Sequence, residues 1–440
     1  MSQDFHRFLE DYRARYADDV FVVKEEVSPD QEVTALVWAL AAQGRDPLLV
    51  FERVKGTKAV TNIFASRARI GRLLGCTADL VHKTYQEKSR QAVDPKVISS
   101  GPVLDSVETR VDLTTLPLLK HFETDKAPYI TNGIIAAESN LSYHRAMLHS
   151  KTELATSLHS RGHLWRLQQE KKGPLPVAMV VGAHPLFMLA ASARVGFGVD
   201  ERRIAGGLMG EPLQVVRTPK YGLAVPAAAE IVLEGTLDPE AKVDEGPFGE
   251  FTGYSSNRTT NTLFRVETVM RRKDAILVDV VGGNSPEHLN LSRVPRESEM
   301  AEKLMERFPG VTRLHYPNSG VHFLAYVALR AKREGEARQV MLALLGWDPY
   351  LKTVIAVDDD IDVGDDSQVL WALAAHLQPH RDVLIVDGLP GSALDPSASG
   401  AGTTSRMGLD ATRGPHFEGV RHRISAAAMK RAAQLLGKTG

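Results

Sequence analysis

The chain of 440 residues has one cysteine, Cys76, so no intrachain disulfide can form and no cysteine metal cluster can be built. That usage suits a reducing compartment, and a cytoplasmic location is expected. An excess of charge is also missing: 53 Lys and Arg stand against 54 Asp and Glu, a formal net charge of -1. Such a balance gives no reason to expect nucleic acid or an anionic membrane as a partner. The longest apolar stretch, Pro176 to Ala193, is interrupted by Gly182, His184 and Pro185. It reads as a buried strand, a turn and a helix, not as a membrane span. The N-terminal MSQDFHRFLEDYRARY is charged throughout and lacks the apolar core of a secretory signal. No P-loop or GxSxG elbow occurs, and RVGFGVDE (194–201) lacks the third glycine and preceding strand of a dinucleotide loop.

What is present is a soluble-type composition, 43% hydrophobic and 24% charged, on a chain long enough for two or three domains. Helical and strand-like periods alternate up to about residue 92 and predict an N-terminal α/β domain over 1–100. Residues 93–128 are proline-spaced and read as a long ordered connection. Short β-rich runs then dominate, among them YITNGIIAAE, LPVAMVVGA, AEIVLEGTL, LFRVETVMRR and AILVDVVGG, and favour a barrel or sandwich over 101–295. After 295 the alternation resumes and predicts a C-terminal α/β domain over 296–440, with a flexible stretch at 391–405. The fold class is therefore mixed α/β (α+β). The basic amphipathic end, HRISAAAMKRAAQLLGK, reads as a docking or oligomerisation helix, since it has no aromatic anchors for a membrane.

Several segments can carry chemistry. EGPFGE holds Glu245 and Glu250 around two glycines and a proline, which rule out a regular helix and allow both acids to turn into one pocket. Two carboxylates sharing a dry site repel, and one is expected to become a proton donor near neutral pH. The alternative is a polar turn with both acids solvated. Arg145, in SNLSYHRAM (139–147), needs an anion if it is buried and needs none if its strand face is exposed. His159 and His163 form an i, i+4 pair, a weak zinc signal because Gly162 lies between them. Glu201 heads a short helix, where the dipole alone favours an acid. VDDDIDVGDDS (357–367) fails the calcium-loop register, because its glycine is one place late and Val369 stands where the bidentate Glu belongs.

Taken in order, YIT-G (129–133), N-x4-R (Asn140 to Arg145), GxHP (182–185), VDE-x3-AGGL (199–208), VPAAAEIVLEG (225–235), EGPFGEFTGY (245–254) and VLWALA (369–374) form a series. That series resembles the UbiD-like decarboxylases, over about residues 5–415. The resemblance implies a central split β-barrel holding prenylated FMN through a divalent ion, Mn²⁺ or Mg²⁺, with K⁺ alongside. It places Asn140, His163 and Glu201 as ligands of the divalent metal, and this oxygen-plus-imidazole set suits such an ion. It also implies that main-chain carbonyls of Ala190, Ala191 and Ala193 face the monovalent ion. Ser142, Tyr143, His144, Arg145, Gly162 and Ser192 join the cofactor's surroundings by the same likeness.

By the same carry-over Arg145, Glu245 and Glu250 are the catalytic network, with Glu250 as proton donor and Glu245 as the partner of Arg145. One departure is that SRMGLDAT offers Arg406 where the family usually has a lysine close to the flavin. The segment SPEHLNLSRVPRE (285–297) lies where relatives line the substrate pocket, so His288 and Arg296 are candidates to recognise a second polar group. A surface loop is the alternative there. The implied reaction is reversible, non-oxidative decarboxylation of an aromatic or heteroaromatic acid, releasing CO₂. A cinnamate-type substrate and a non-catalytic flavin-binding subunit are the alternatives. Implied partners are a flavin prenyltransferase that supplies the cofactor, and further copies of the chain in a homodimer or homohexamer.

Overall fold

The computed structural model describes residues 2–158, 162–171, 173–257, 259–330, 333–398, 402–414 and 417–437. His159, the expected partner of His163, lies outside the described residues.

Near the N-terminus, the helix Phe5–Arg15 starts where the Asp4 carboxylate accepts from the backbone N–H groups of His6 and Arg7, and it buries Phe5, Leu9 and Tyr12. A four-stranded sheet follows, in the order Val20–Val27, Leu48–Val54, Thr57–Thr61, Leu277–Val278. Its last strand was expected in the central domain, as part of the run AILVDVVGG. Only Leu277 and Val278 are extended in that run, and they pair parallel with Ala59 and Val60. Both are buried, and the edge beside Thr57–Thr61 offers them backbone partners that local sequence cannot reveal.

The central region is a nine-stranded sheet organised on the hairpin of Ile231–Glu245 and Thr259–Arg271, paired antiparallel from Ile231–Arg271 to Glu245–Thr259. The register shifts between Glu234 and Gly235, where a Cβ on Gly235 would fall 1.8 Å from the Arg265 carbonyl oxygen. Only glycine permits that approach. Leu175–Val181 joins the hairpin to Gly133–Ala136 and thence to Leu141–Tyr143. On the hairpin's other side lie Glu153–Thr156, Ala146–Leu148 and Tyr129–Ile130. No ladder joins the two ends of this sheet among the described residues, so the barrel is split rather than closed. Buried apolar clusters cover both faces, which explains the near-continuous hydrophobic runs.

The helix Pro286–Arg307 has 22 residues and crosses the expected 295/296 division without a break. The segment expected at the substrate pocket, with a surface loop as the alternative, is thus its first half, begun by Ser285, whose hydroxyl oxygen accepts from His288 N–H, and by Pro286. Pro295 inside the helix cannot donate to the Leu291 carbonyl, and the Ser192 hydroxyl donates to that oxygen instead at 2.8 Å. Beyond it stands a five-stranded sheet in the order Val311–His315, Leu324–Leu329, Thr353–Asp358, Thr403–Asp410, Val383–Pro390. The sequence showed neither its first strand nor Thr403–Asp410, which begins inside the stretch expected to be flexible. The latter inserts parallel to Thr353–Asp358, and that partner decides its conformation. The helix Ala426–Leu435 buries no residue against this chain. No helix among the described residues is long and apolar enough to cross a membrane.

Candidate active site

Glu245 ends the long hairpin strand, and the chain turns through the cis Gly246–Pro247 bond to reach Glu250. Arg145 lies between the short strands Leu141–Tyr143 and Ala146–Leu148 and points at both acids. Its Nε and Nη2 donate to Glu245 at 2.9 and 3.1 Å, and its Nη1 donates to Glu250 Oε1 at 2.5 Å. The Phe248 ring packs 4.6 Å from the guanidinium. Burial pushes the Arg145 pKa down, but hydrogen bonds and charge from the two glutamates outweigh it and hold the group above its ordinary value. The two carboxylates therefore share one guanidinium rather than facing each other bare.

Glu245 has no solvent exposure and all its lone-pair directions are engaged. Besides Arg145, it accepts from Tyr129 Oη at 3.0 Å and Asn261 Nδ2 at 2.7 Å. Sequence reasoning assigned no role to Tyr129 or Asn261. Hairpin register was the available signal for Asn261, because Thr259 pairs with Glu245 and Asn261 lies two residues on, on the same face. Glu250 differs. It is 6% exposed, its second oxygen takes no hydrogen bond among the described residues, and it lines a cavity of about 650 Å³ with Trp38, Phe122, Tyr254 and Pro286. Glu245 is thus held on both oxygens, and Glu250 is the carboxylate with an oxygen left for a ligand in the cavity.

His288 lies within electrostatic reach of Glu250 and Arg145. Its Nδ1 meets the Gly283 carbonyl at 2.9 Å, and because a carbonyl only accepts, that nitrogen carries the proton. Burial lowers the His288 pKa, so the ring is neutral with Nε2 bare. Arg296 is placed otherwise than expected: its Nε pairs with the buried Asp348 at 3.1 Å, and its plane packs over Tyr350 at 4.4 Å. It ties the long helix to the C-terminal sheet region.

The residues expected at the metal only partly converge. Glu201 is buried at the first position of the helix Glu201–Met209 and accepts from Leu141 N–H at 2.7 Å and Asn140 Nδ2 at 3.3 Å. Arg202 beside it turns to Asp200 and to the carbonyls of Ala137, Glu138 and Ala224. Burial pushes the Glu201 pKa up to about 7. A sealed carboxylate with only neutral donors, next to an amide oxygen, has the chemistry of a site for a hard cation. His163 opens the helix His163–Lys171 just after Gly162, and its ring meets the edge of Phe197 at 5.5 Å rather than Glu201. No group of three His, Cys, Asp or Glu forms a metal cluster among the described residues.

Nearby, Ser142 Oγ donates to Asn140 Oδ1 at 3.1 Å and lies 2.9 Å from His144 Nε2, while His144 Nδ1 meets the Ser157 carbonyl at 3.0 Å. Tyr143 Oη donates to the Met188 carbonyl at 3.0 Å, and the Ala190 carbonyl accepts from Ala193 N–H at 2.9 Å, Ala191 being buried between. Two expected cofactor contacts are used structurally instead. The Ser192 hydroxyl meets the Leu189 and Leu291 carbonyls, the second being the one Pro295 leaves free. Arg406 is buried with its Nη atoms on the carbonyls of Leu345, Asp348, Pro349 and Pro390, a cage around the C-terminal end of the helix Glu336–Trp347.

Comparison with known proteins agrees with this arrangement. Residues 13–88, 96–285 and 290–411 match the N-terminal, Rift-related and C-terminal domains of the 3-octaprenyl-4-hydroxybenzoate carboxy-lyase family, UbiD. The chain is 34% identical over 399 residues to an anhydromevalonate phosphate decarboxylase of Methanosarcina mazei, covering 89% of this chain and 92% of the relative. A second enzyme of that name, from Aeropyrum pernix, is 31% identical over 89% of this chain and 90% of its own length. The UbiD-class enzyme HmfF from Pelotomaculum thermopropionicum, solved with FMN, superposes with a TM-score of 0.90 at 30% identity, covering 97% of this chain and 98% of that one. Vanillic acid decarboxylase of Sedimentibacter hydroxybenzoicus, in its open form, gives 0.85 at 27% identity over 99% of both chains. With that coverage, and with a guanidinium joining two glutamates at the core of the site, this chain belongs to the UbiD family of carboxy-lyases.

Proposed function

We propose that the protein is a prenylated-FMN-dependent, reversible decarboxylase of an aromatic or heteroaromatic carboxylic acid. The observation that carries the reading is the asymmetry of the network: Glu245 is saturated by Arg145, Tyr129 and Asn261, while Glu250 keeps one oxygen toward the cavity. When bound, prenylated FMN supplies the sink for the electron pair left by departing CO₂. The side chains do the rest. Arg145, fixed by Glu245, orients the substrate carboxylate, and Glu250 delivers the proton that replaces CO₂. In the carboxylating direction Glu250 takes that proton back. His288, with Nε2 bare, reads a polar substituent.

Asn140 and Glu201 would hold a Mn²⁺ or Mg²⁺ ion supplying positive charge to a flavin phosphate, and His163, whose ring lies against Phe197, would have to turn toward them to be the third ligand. Carbonyls of Ala190, Ala191 and Ala193 would face K⁺. A flavin prenyltransferase is the implied supplier of the cofactor. A phosphate-bearing unsaturated acid is the second reading, favoured by the names of the 34% and 31% identical relatives. The helix Ala426–Leu435, with Met429, Leu435 and Leu436 exposed, supports assembly into a homodimer or homohexamer. The test is production with a flavin prenyltransferase, followed by CO₂ release from aromatic, heteroaromatic, cinnamate-type and phosphorylated unsaturated acids. Release from none of them, in protein whose absorbance shows bound flavin, would exclude a decarboxylase.

A further inference from the structure

His322 lies outside every segment that sequence reasoning singled out. It follows Val321, a β-branched residue held at φ 46°, in the left-handed region that such residues avoid. That strained turn delivers the imidazole to the helix Pro286–Arg307, where its Nε2 meets Ser292 Oγ at 3.0 Å. The ring packs at a tilt 4.6 Å from Phe251, the residue after Glu250, and edge-on 6.2 Å from Tyr350. It is 6% exposed, and its other nitrogen, Nδ1, is buried with no hydrogen-bond partner among the described residues. A buried polar atom without a partner is costly, and its presence on a ring packed against Phe251, next in the chain to Glu250, points to a ligand.

Chemistry chooses the kind of ligand. Ser292 has one proton, and its contact with His322 is shorter than its contacts with the His288 and Leu289 carbonyls, at 3.3 and 3.2 Å. With the Ser292 hydroxyl donating to Nε2, the ring proton sits on Nδ1 and that atom is a donor. Burial, then the charges of Arg296 and Arg293, hold the His322 pKa well below its ordinary value, so the ring is neutral in the field of two guanidinium groups. Arg293 adds to that field from the same helix, with Nε and Nη2 buried and unpartnered. A neutral donor among cations suits an anionic oxygen.

We propose that His322, held by Ser292, is a specificity-determining residue that donates a hydrogen bond from Nδ1 to an anionic oxygen at the end of the substrate remote from the departing carboxylate. This rests on the decarboxylase reading for its role, but its binding test does not. Benzoate, terephthalate and 4-phosphonobenzoate are titrated calorimetrically into the full chain purified without flavin, and kcat and KM are measured for the same acids on cofactor-loaded protein. The wild type is expected to prefer the acids with a second anion. His322→Phe is expected to reduce that preference about tenfold, the loss falling on KM more than kcat. His322→Asn, which keeps a donor, recovers part of it, and Ser292→Ala falls between. The terephthalate and phosphonate arms separate a carboxylate from a phosphate-type group. Absence of any preference in the wild type, or an unchanged preference in His322→Phe, overturns the proposal; should His322→Phe not fold, an unchanged preference in both His322→Asn and Ser292→Ala does the same. No CO₂ release from any acid, with the preference and its loss intact, sinks the decarboxylase reading and leaves the subsite standing.

Discussion

Glu245 and Glu201 are both sealed from solvent, one at a strand end and one at a helix start, yet they are met in opposite ways. Glu245 receives a guanidinium, a phenol and an amide, all from this chain. Glu201 receives a backbone N–H and a side-chain amide, with no ion pair among the described residues. Desolvation penalises both charges, and only the first is answered by a protein cation. A buried carboxylate completed internally is a preorganised group; one short of positive charge is a place where a cation from outside would be stabilised. Glu287 extends the comparison. It too meets neutral donors, from Thr61, Asn62 and Phe64, but three of them, and it joins the long helix to the N-terminal domain.

The largest effect should come from destroying the completed member. Arg145→Ala strands two buried glutamates, so decarboxylation should vanish and chemical denaturation should register a loss of about 3–5 kcal/mol. An unchanged unfolding midpoint would mean that the pairing is not structural. Glu250→Gln tests the half-open carboxylate beside it: kcat should fall by about 10²–10⁴-fold while the fold stays intact, because the amide oxygen still accepts from Arg145.

For Glu201 the contrast predicts dependence on a metal. Mn²⁺ at a hundred times its Kd should stabilise the wild type by about 2.7 kcal/mol in thermal melts and leave Glu201→Ala unmoved. Equal stabilisation of both proteins would place the ion elsewhere. Glu287 offers a pH test. Burial, partly offset by its three donors, pushes its pKa up to about 7, so the folded chain holds an extra proton between the ordinary carboxylate range and that value. Its contribution to stability is therefore present at low pH and lost as pH rises through 7. Relative to Glu287→Gln, the wild type should lose on the order of 3 kcal/mol between pH 5 and 8, and parallel stability profiles would refute it. The smallest effect is expected for Arg406→Ala, which exposes no charge: about 1–3 kcal/mol of stability from the uncapped carbonyls, with FMN affinity unchanged in a titration. A matching loss of FMN binding would return Arg406 to the cofactor.

Sequence reasoning reached the acids in EGPFGE because glycine and proline there exclude a helix, and it reached Arg145 because an arginine in a β-rich core needs an anion. It did not reach Tyr129 or Asn261, since nothing near Tyr129 announces that its hydroxyl ends on Glu245, and Asn261 is found only once the hairpin register is known. Arg296 looked like a pocket residue because relatives line the substrate pocket with this segment. As part of a helix, it faces Asp348, more than fifty positions away. Arg406 and Ser192 show the same limit: each satisfies main-chain carbonyls whose need is created by a helix end or by Pro295.

The amino-acid sequence by itself settled those properties that depend on composition and short-range pattern. A single cysteine excludes disulfides, balanced charge disfavours polyanionic partners, and the ordered motifs carry the family, because turn chemistry and periodicity are local. The tertiary structure alone decided which side chains complete one another. Leu277–Val278 joined a sheet more than two hundred residues upstream, one guanidinium was shared between two glutamates, and Glu201 was left with neutral donors. Those outcomes turn on desolvation, and a carboxylate's loss of water is fixed by every element packed against it, not by its neighbours in the chain.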